Sequence, residues 1–156
     1  MKLAEALALR ADNARKAEQL RTRIVDNARY QEGETPAENA AALLADSQAV
    51  FDELESLIRR INKTNAAATV NDGTMTDALA RRDVLRLRHR TVTAAADAAS
   101  GTGGQGGYAR QLRSELTYVS ALPVAEMRST ADDLARQLRE LDVEIQRRNW
   151  EVDLVD

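Results

Sequence analysis

Apolar residues recur at alternating steps of three and four along much of this sequence. The longest such run lies in the C-terminal third, at Val124, Met127, Ala131, Leu134, Leu138, Leu141 and Ile145. Steps of three and four bring side chains onto one face of an α-helix. The run therefore predicts a long helix over residues 123–149, with Pro123 at the first position, where proline is well tolerated.

Two more helices with this kind of repeat are predicted in the N-terminal half. The first covers residues 1–31 and the second covers residues 36–65, with Thr35 as its N-cap. The apolar positions of the second helix form a wide stripe, and they are Ala40, Leu43, Leu44, Val50, Phe51, Leu54, Leu57, Ile58 and Ile61. Because only a short turn joins the two helices, they should form an antiparallel hairpin over residues 1–65.

The rest of the chain is predicted to contain one more helix and several short segments. The turn sequence Asn71-Asp72-Gly73 precedes a helix over 75–98, which a glycine-rich linker over 100–107 ends. A short strand is expected over 115–120, and a C-terminal tail over 150–156. The predicted fold class is all-α: one helical domain over 1–156, like a four-helix bundle or coiled coil, with at most one or two short strands.

The tail is expected to contact a second subunit. The tail and the strand at 115–120 flank a helix of about 27 residues and so lie roughly 40 Å apart, too far to pair with each other. Trp150 is the only tryptophan of the chain, and aromatic side chains are favoured at protein interfaces. We therefore predict an oligomer interface made of Trp150, Val152 and Leu154.

Composition narrows the function classes. Hydrophobic residues make up 44% of the chain but aromatic residues only 3%, so a core of small side chains would gain from burial against another copy. The net charge of −3 is not that of a typical nucleic-acid-binding protein, which carries an excess of basic residues. No stretch of the sequence approaches the roughly 18 apolar residues of a membrane span. We expect a cytoplasmic homo-oligomer that binds neither nucleic acid nor a membrane.

The sequence contains no recognisable catalytic or metal-binding set. Cysteine is absent, which excludes disulfides and thiol chemistry, and His89 is the only histidine. Gly101, Gly103 and Gly106 match the spacing of a phosphate-binding loop, but no strand precedes them, so a linker is the better interpretation. No cofactor and no metal are expected, and an enzyme is the less favoured class.

Several polar residues lie on or beside the apolar stripes. The candidate ligand-binding residues among them are Arg10, Asn27, Asn62, Asn65, Arg81 and Asp83. A buried polar group needs a partner, because leaving it unpaired costs roughly 1–3 kcal/mol. Two interpretations stay open, namely a structural network that fixes helix register and a pocket for a small anion or a substrate.

Five segments of the chain together resemble one family. They are MKLAEALALRAD, RINKTNAAAT, GTMTDALARRDVLRLRH, SELTYVS and ELDVEIQRRNWEVDL. The family consists of small bacterial all-helical proteins that carry the label septicolysin. The resemblance implies an all-helical homo-oligomer, with a hexamer as one candidate, and it transfers no catalytic residues. The label implies a cytolysin that acts on membranes, whereas the sequence itself favours a structural or protein-interaction role.

Overall fold

The computed structural model describes residues 1–102 and 118–156, and most of them belong to four helices. In chain order the elements are α1 (Leu3–Asn27), α2 (Ala40–Ala67), β1 (Thr69–Val70), β2 (Gly73–Thr74), α3 (Met75–Ser100) and α4 (Val124–Glu151). The predicted all-α class is confirmed. The chain divides into two compact units: unit 1 is Met1–Met75 with Gln146–Asp156, and unit 2 is Thr76–Ile145.

Unit 1 is built around the antiparallel hairpin of α1 and α2. The buried residues of α1 are Leu3, Ala6, Asn13 and Leu20, and those of α2 are Leu43, Ser47, Val50, Leu57, Ile61 and Thr64. On both helices these positions follow steps of three, four or seven, as in a coiled-coil seam. Each helix therefore buries one narrow row. Part of the seam is a cluster of Leu20, Leu43 and Val50, against which Ala17 and Ile24 pack.

The second helix begins four residues later than the sequence predicts. Its N-cap is Asn39 instead of Thr35, and the Asn39 side chain accepts a hydrogen bond of 3.0 Å from the backbone N–H three residues on. The residue before the N-cap, Glu38, is bonded to α1. The Arg23 guanidinium pairs with the Glu38 carboxylate, and the Glu38 backbone N–H donates to Asn27 Oδ1 at 3.0 Å. Because these bonds hold residue 38 outside the helix, the helix starts after it.

Asn13 places a buried amide in the middle of the α1 seam. Only 7% of the residue is exposed, and its Nδ2 has no hydrogen-bond partner within the described residues. The two buried hydroxyls of α2 are satisfied locally, since Ser47 donates to the Leu44 carbonyl at 2.7 Å and Thr64 donates to the Arg60 carbonyl at 2.8 Å. Asn13 therefore carries a desolvation cost that an apolar side chain would not.

A tight turn follows α2. Strands β1 and β2 pair as an antiparallel ladder, with Thr69 opposite Thr74 and Val70 opposite Gly73. Between them Asn71 has a φ of 51°, in the left-handed region that asparagine tolerates better than most residues. The turn predicted at this point is confirmed, and it leads directly into α3.

The C-terminal tail pairs with the first residues of the same chain. Lys2 and Asp153 form an isolated antiparallel bridge, and the backbone N–H of Leu3 donates to the Val152 carbonyl at 2.9 Å. The Lys2 side chain strengthens the bridge, because its Nζ lies 2.9 Å from Asp153 Oδ1. The two terminal segments, far apart in sequence, thus meet in unit 1.

The end of the tail reaches α2. The backbone N–H of Val155 donates to Thr64 Oγ1 at 3.0 Å, while Arg60 and Lys63 donate to Asp156 at 2.6 Å and 2.9 Å. The tail, the start of α1 and the last turns of α2 are therefore joined by hydrogen bonds at one end of the hairpin.

Unit 2 contains most of α3 and of α4, which run antiparallel. Arg128 near the start of α4 pairs with Asp97 near the end of α3 at 3.1 Å, and Arg86 pairs with Asp142 at 3.4 Å. Leu141 and Ile145 of the predicted α4 seam are buried, but from 124 to 138 the seam residues are only half-buried. Within the unit, two helices alone do not enclose them.

Two predicted features fall partly outside the described residues. Of the glycine-rich linker over 100–107, residues 100–102 are described, and Gly101 there has a φ of 76° at the end of α3. Of the short strand over 115–120, residues 118–120 are described, and they lie in no helix or strand. The expected strand is therefore not formed at those three residues.

Replacement of the buried amide should stabilise the protein. We expect Asn13→Leu to raise the free energy of unfolding by about 1–3 kcal/mol, because it removes an unpartnered polar group and adds apolar burial. Urea denaturation followed by circular dichroism measures the change. Asn62→Leu is the control, since Asn62 is exposed on α2 and its replacement should have little effect. A less stable Asn13→Leu would show that the amide contributes a favourable contact.

The Lys2–Asp153 pair predicts a pH dependence of stability. A hydrogen bond from Lys2 and the Lys2 charge hold the pKa of the Asp153 carboxyl below its usual value. A carboxyl with a lower pKa in the folded state stabilises the fold above its unfolded-state pKa, and this contribution is lost as pH falls through the folded-state value. Asp153→Asn should therefore melt at a lower temperature than wild type at neutral pH, and the difference should shrink as pH falls below the usual range of a carboxyl pKa.

Thermal melting at neutral and acid pH tests this expectation. The exposed Asp132 on α4 supplies the control, and Asp132→Asn should leave the pH dependence unchanged. If the gap between Asp153→Asn and wild type is the same at both pH values, the ion pair does not cause it.

Candidate functional site

Unit 1 has a row of exposed apolar side chains on the outside of α2. Leu44, Phe51 and Ile58 are 54%, 45% and 41% exposed and lie seven residues apart. Seven residues are close to two helical turns, so the three side chains form one line along the helix. We call this row the outer stripe.

The sequence pattern does not separate the outer stripe from the core. The wide apolar stripe predicted for the second helix contains the outer stripe and also the buried row of Leu43, Val50 and Leu57. Each outer-stripe residue directly follows one of these buried residues, which is a rotation of about 100° around the helix axis. A single partner helix covers one of two such rows, and α1 covers the buried one.

The outer stripe lies on the side of α2 away from Asp46. A hydrogen bond to Glu38 and the charges of Glu38 and Asp46 raise the pKa of the Arg23 guanidinium on α1. Asp46 lies two positions after Leu44, a rotation of about 200°, so the outer stripe lies on the opposite side of α2 from Asp46.

The six predicted ligand-binding residues are spread over both units. Arg10, Asn27, Asn62 and Asn65 belong to unit 1, and Arg81 and Asp83 belong to unit 2. On α1, Arg10 and Asn27 are almost five helical turns apart, or about 25 Å. One small ligand does not span that distance, so a small-anion pocket would involve only part of the set, and it stays a prediction.

Asn27 has a structural role that its sequence position did not reveal. Its Nδ2 donates to the Arg23 carbonyl at 2.9 Å, and its Oδ1 accepts the backbone N–H of Glu38 at 3.0 Å. The amide closes the last turn of α1 and fixes the entry to α2, which is the structural interpretation left open by the sequence.

Two shallow depressions lie beside the arginines of unit 2. One, of about 330 Å³, is lined by Ala80, Arg81, Val84, Leu85, Arg88 and Gln137. The other, of about 360 Å³, is lined by Asp83, Arg86, His89, Arg90 and Leu138. Guanidinium groups suit carboxylate or phosphate ligands. However, Arg86 already pairs with Asp142 at 3.4 Å, and His89 lies half-buried on the inner face of α3.

The three predicted oligomer-interface residues differ in how deeply they are buried within the chain. Leu154 is buried and Val152 is half-buried, and both lie in the tail segment that pairs with the start of α1. Trp150, in the last turn of α4, is 62% exposed. Contact of this indole with another subunit stays a prediction.

Among residues 1–102 and 118–156, no three side chains of histidine, cysteine, aspartate or glutamate are grouped so that they could hold a metal ion. In this same part of the chain, none of the helices combines the length and the apolar character needed to cross a membrane.

Comparison with known proteins identifies a solved structure and a family. The chain is similar to a crystal structure of a functionally unknown conserved protein from Corynebacterium diphtheriae, with a TM-score of 0.89, 36% sequence identity and 99% of each chain covered. No curated protein matches it. Neither result bears on the septicolysin label. The family match spans residues 10–154, and the chain belongs to this family, described as a family of unknown function (DUF6847).

Proposed function

We propose that this protein is a helical homo-oligomer with a structural or protein-interaction role, and that its copies associate through the outer stripe of α2. The observation that carries the proposal is the exposure of Leu44, Phe51 and Ile58 in one line. Apolar residues repeated every seven positions are the usual contact surface between helices of different chains. The row is left uncovered because α1 occupies the row next to it.

The centre of the outer stripe has the side chain best suited to an interface. Phe51 is the only phenylalanine of the chain, and it is 45% exposed. Aromatic residues are enriched in the buried centre of protein interfaces, where they contribute large contact areas. The placement of Phe51 between Leu44 and Ile58 therefore fits an anchor with aliphatic neighbours.

Burial of the outer stripe would favour association by a moderate amount. Moving a half-exposed leucine, isoleucine or phenylalanine out of water contributes on the order of 1 kcal/mol, at roughly 25 cal/mol per Å². Two copies bring six such side chains, or about 6 kcal/mol, which must offset the loss of translational and rotational freedom. Residues beside the stripe must therefore add to the contact if it is to be stable at micromolar concentration.

The number of copies is the finer part of the proposal. A contact of the outer stripe with itself closes a dimer, because the same surface is used on both partners. The hexamer implied by the septicolysin-family resemblance needs a second kind of contact. The exposed indole of Trp150 supplies an aromatic anchor for it.

Phe51→Glu should dissociate the oligomer. A carboxylate at the centre of the stripe would have to lose its hydration if the contact formed, so the dissociation constant should rise by at least ~10-fold. Size-exclusion chromatography with light scattering measures the mass, and circular dichroism confirms that the helices are intact. Val143→Glu is the matched control, because Val143 is 68% exposed on α4 and lies outside the stripe.

Two results would overturn the proposal. The first is a wild-type chain that stays monomeric up to millimolar concentration. The second is an oligomer whose mass Phe51→Glu and Val143→Glu leave equally unchanged, because the contact would then lie elsewhere.

A further inference from the structure

We infer that two copies pair through the outer stripe with their α2 helices antiparallel, about a twofold axis that passes beside Phe51. The inference rests on the proposed self-association and adds the partner and its orientation. The occupant of the outer stripe is a second α2 that runs in the opposite direction.

The spacing of the outer stripe matches itself in this orientation. Leu44 and Ile58 lie seven residues on either side of Phe51. An antiparallel partner therefore places Leu44 against the partner's Ile58, Ile58 against the partner's Leu44, and the two Phe51 rings next to each other. All six apolar side chains are used in this arrangement.

The polar residues beside the stripe are complementary in the same orientation. Gln48 and Glu55 are exposed and lie on the side of the stripe away from α1. Antiparallel pairing brings Gln48 opposite the partner's Glu55, so that the amide N–H can donate to the carboxylate, and symmetry forms this contact twice. The two Glu55 carboxylates then lie about 12 Å apart along the helix axis. Among the described residues, Glu55 forms a loose ion pair with Arg59 at 3.9 Å.

A parallel pairing lacks these contacts. Its twofold axis runs along the helices, so the Gln48 and Glu55 edges of the two copies lie on opposite sides of the contact. The α1 helices also lie on opposite sides, and only the α2 helices would touch. An axis perpendicular to the helices instead carries both α1 helices to the same side, and the two hairpins stack as a four-helix bundle.

The side of α1 that joins such a bundle offers apolar contacts of its own. By helical periodicity, the face of α1 that lies on the same side of the hairpin as the outer stripe contains Leu7, Ala14 and Arg21, of which Arg21 is paired with Glu18 at 2.7 Å. Leu7 is half-buried and Ala14 is exposed. The small side chain of Ala14 permits close approach of the two α1 helices, and Leu7 adds an apolar contact one heptad away. Both supply contact beyond the outer stripe itself.

Single cysteines test the orientation, because the chain has none of its own. Leu44→Cys and Ile58→Cys each leave Phe51 in place. Under mild oxidation, neither variant should link to itself, whereas an equal mixture of the two, one carrying a size tag, should give a disulfide-linked heterodimer. Val143→Cys on the exposed side of α4 is the control and should stay unlinked in every mixture.

A second measurement leaves the outer stripe unchanged. Gln48→Lys places an ammonium group opposite the partner's Glu55 and should lower the dissociation constant several-fold. Gln48→Glu places a second carboxylate there and should raise it several-fold. Equal dissociation constants for the two variants would contradict the antiparallel contact.

The outcomes distinguish this inference from the proposed function. Self-linking of Leu44→Cys alone and of Ile58→Cys alone, in an oligomer that Phe51→Glu dissociates, would show a parallel contact and overturn only the orientation. Absence of every link in a chain of oligomeric mass would likewise overturn it. A monomeric wild-type mass would overturn the self-association and the orientation together.

Discussion

A pair of helices can bury one row of side chains on each, and the structure of unit 1 depends on this constraint. The row of Leu43, Val50 and Leu57 is covered by α1, and the neighbouring row of Leu44, Phe51 and Ile58 is not. Since about 100° separates the two rows, no rotation of α2 could bury both against one partner. The exposed outer stripe is therefore a consequence of how the hairpin packs, and covering it requires another helix.

The ends of the hairpin are held by hydrogen bonds in addition to apolar burial. Thr64 is fully buried, and its hydroxyl donates to the Arg60 carbonyl while it accepts the N–H of Val155. One hydroxyl thus joins α2 to the tail, and the Lys2–Asp153 bridge joins the tail to the start of α1. At the other end, Asn27 and the pair of Arg23 with Glu38 perform the equivalent task at the turn. The hairpin is closed at both ends by side chains that a local pattern does not single out.

Sequence periodicity predicts the helices well because their burial is itself periodic. It failed where the cause is not local. The start of α2 at Ala40 depends on Glu38 being held by α1, which the residues around Thr35 do not show. The tail was predicted to contact a second subunit, because the strand expected at 115–120 lies roughly 40 Å away. Within the chain the tail instead pairs with Lys2, the residue just before α1. The two rows of α2 were merged because both residues of each pair, such as Val50 and Phe51, are apolar.

The candidate ligand residues show the limit of reading function from polar residues on an apolar stripe. Asn13 and Asn27 are the same residue type on the same seam of α1, two heptads apart. The amide of Asn27 has both of its polar atoms bonded at the turn, whereas the Nδ2 of Asn13 is buried and has no partner in the described part of the chain. The two amides differ in the backbone groups that α2 and the turn place near them. The sequence of α1 alone does not indicate these groups. The same reasoning applies to the outer stripe, whose residues are typical core residues by type. Only the number of helices available to cover them decides that they form a surface, and the proposed association between copies is one way to cover that surface.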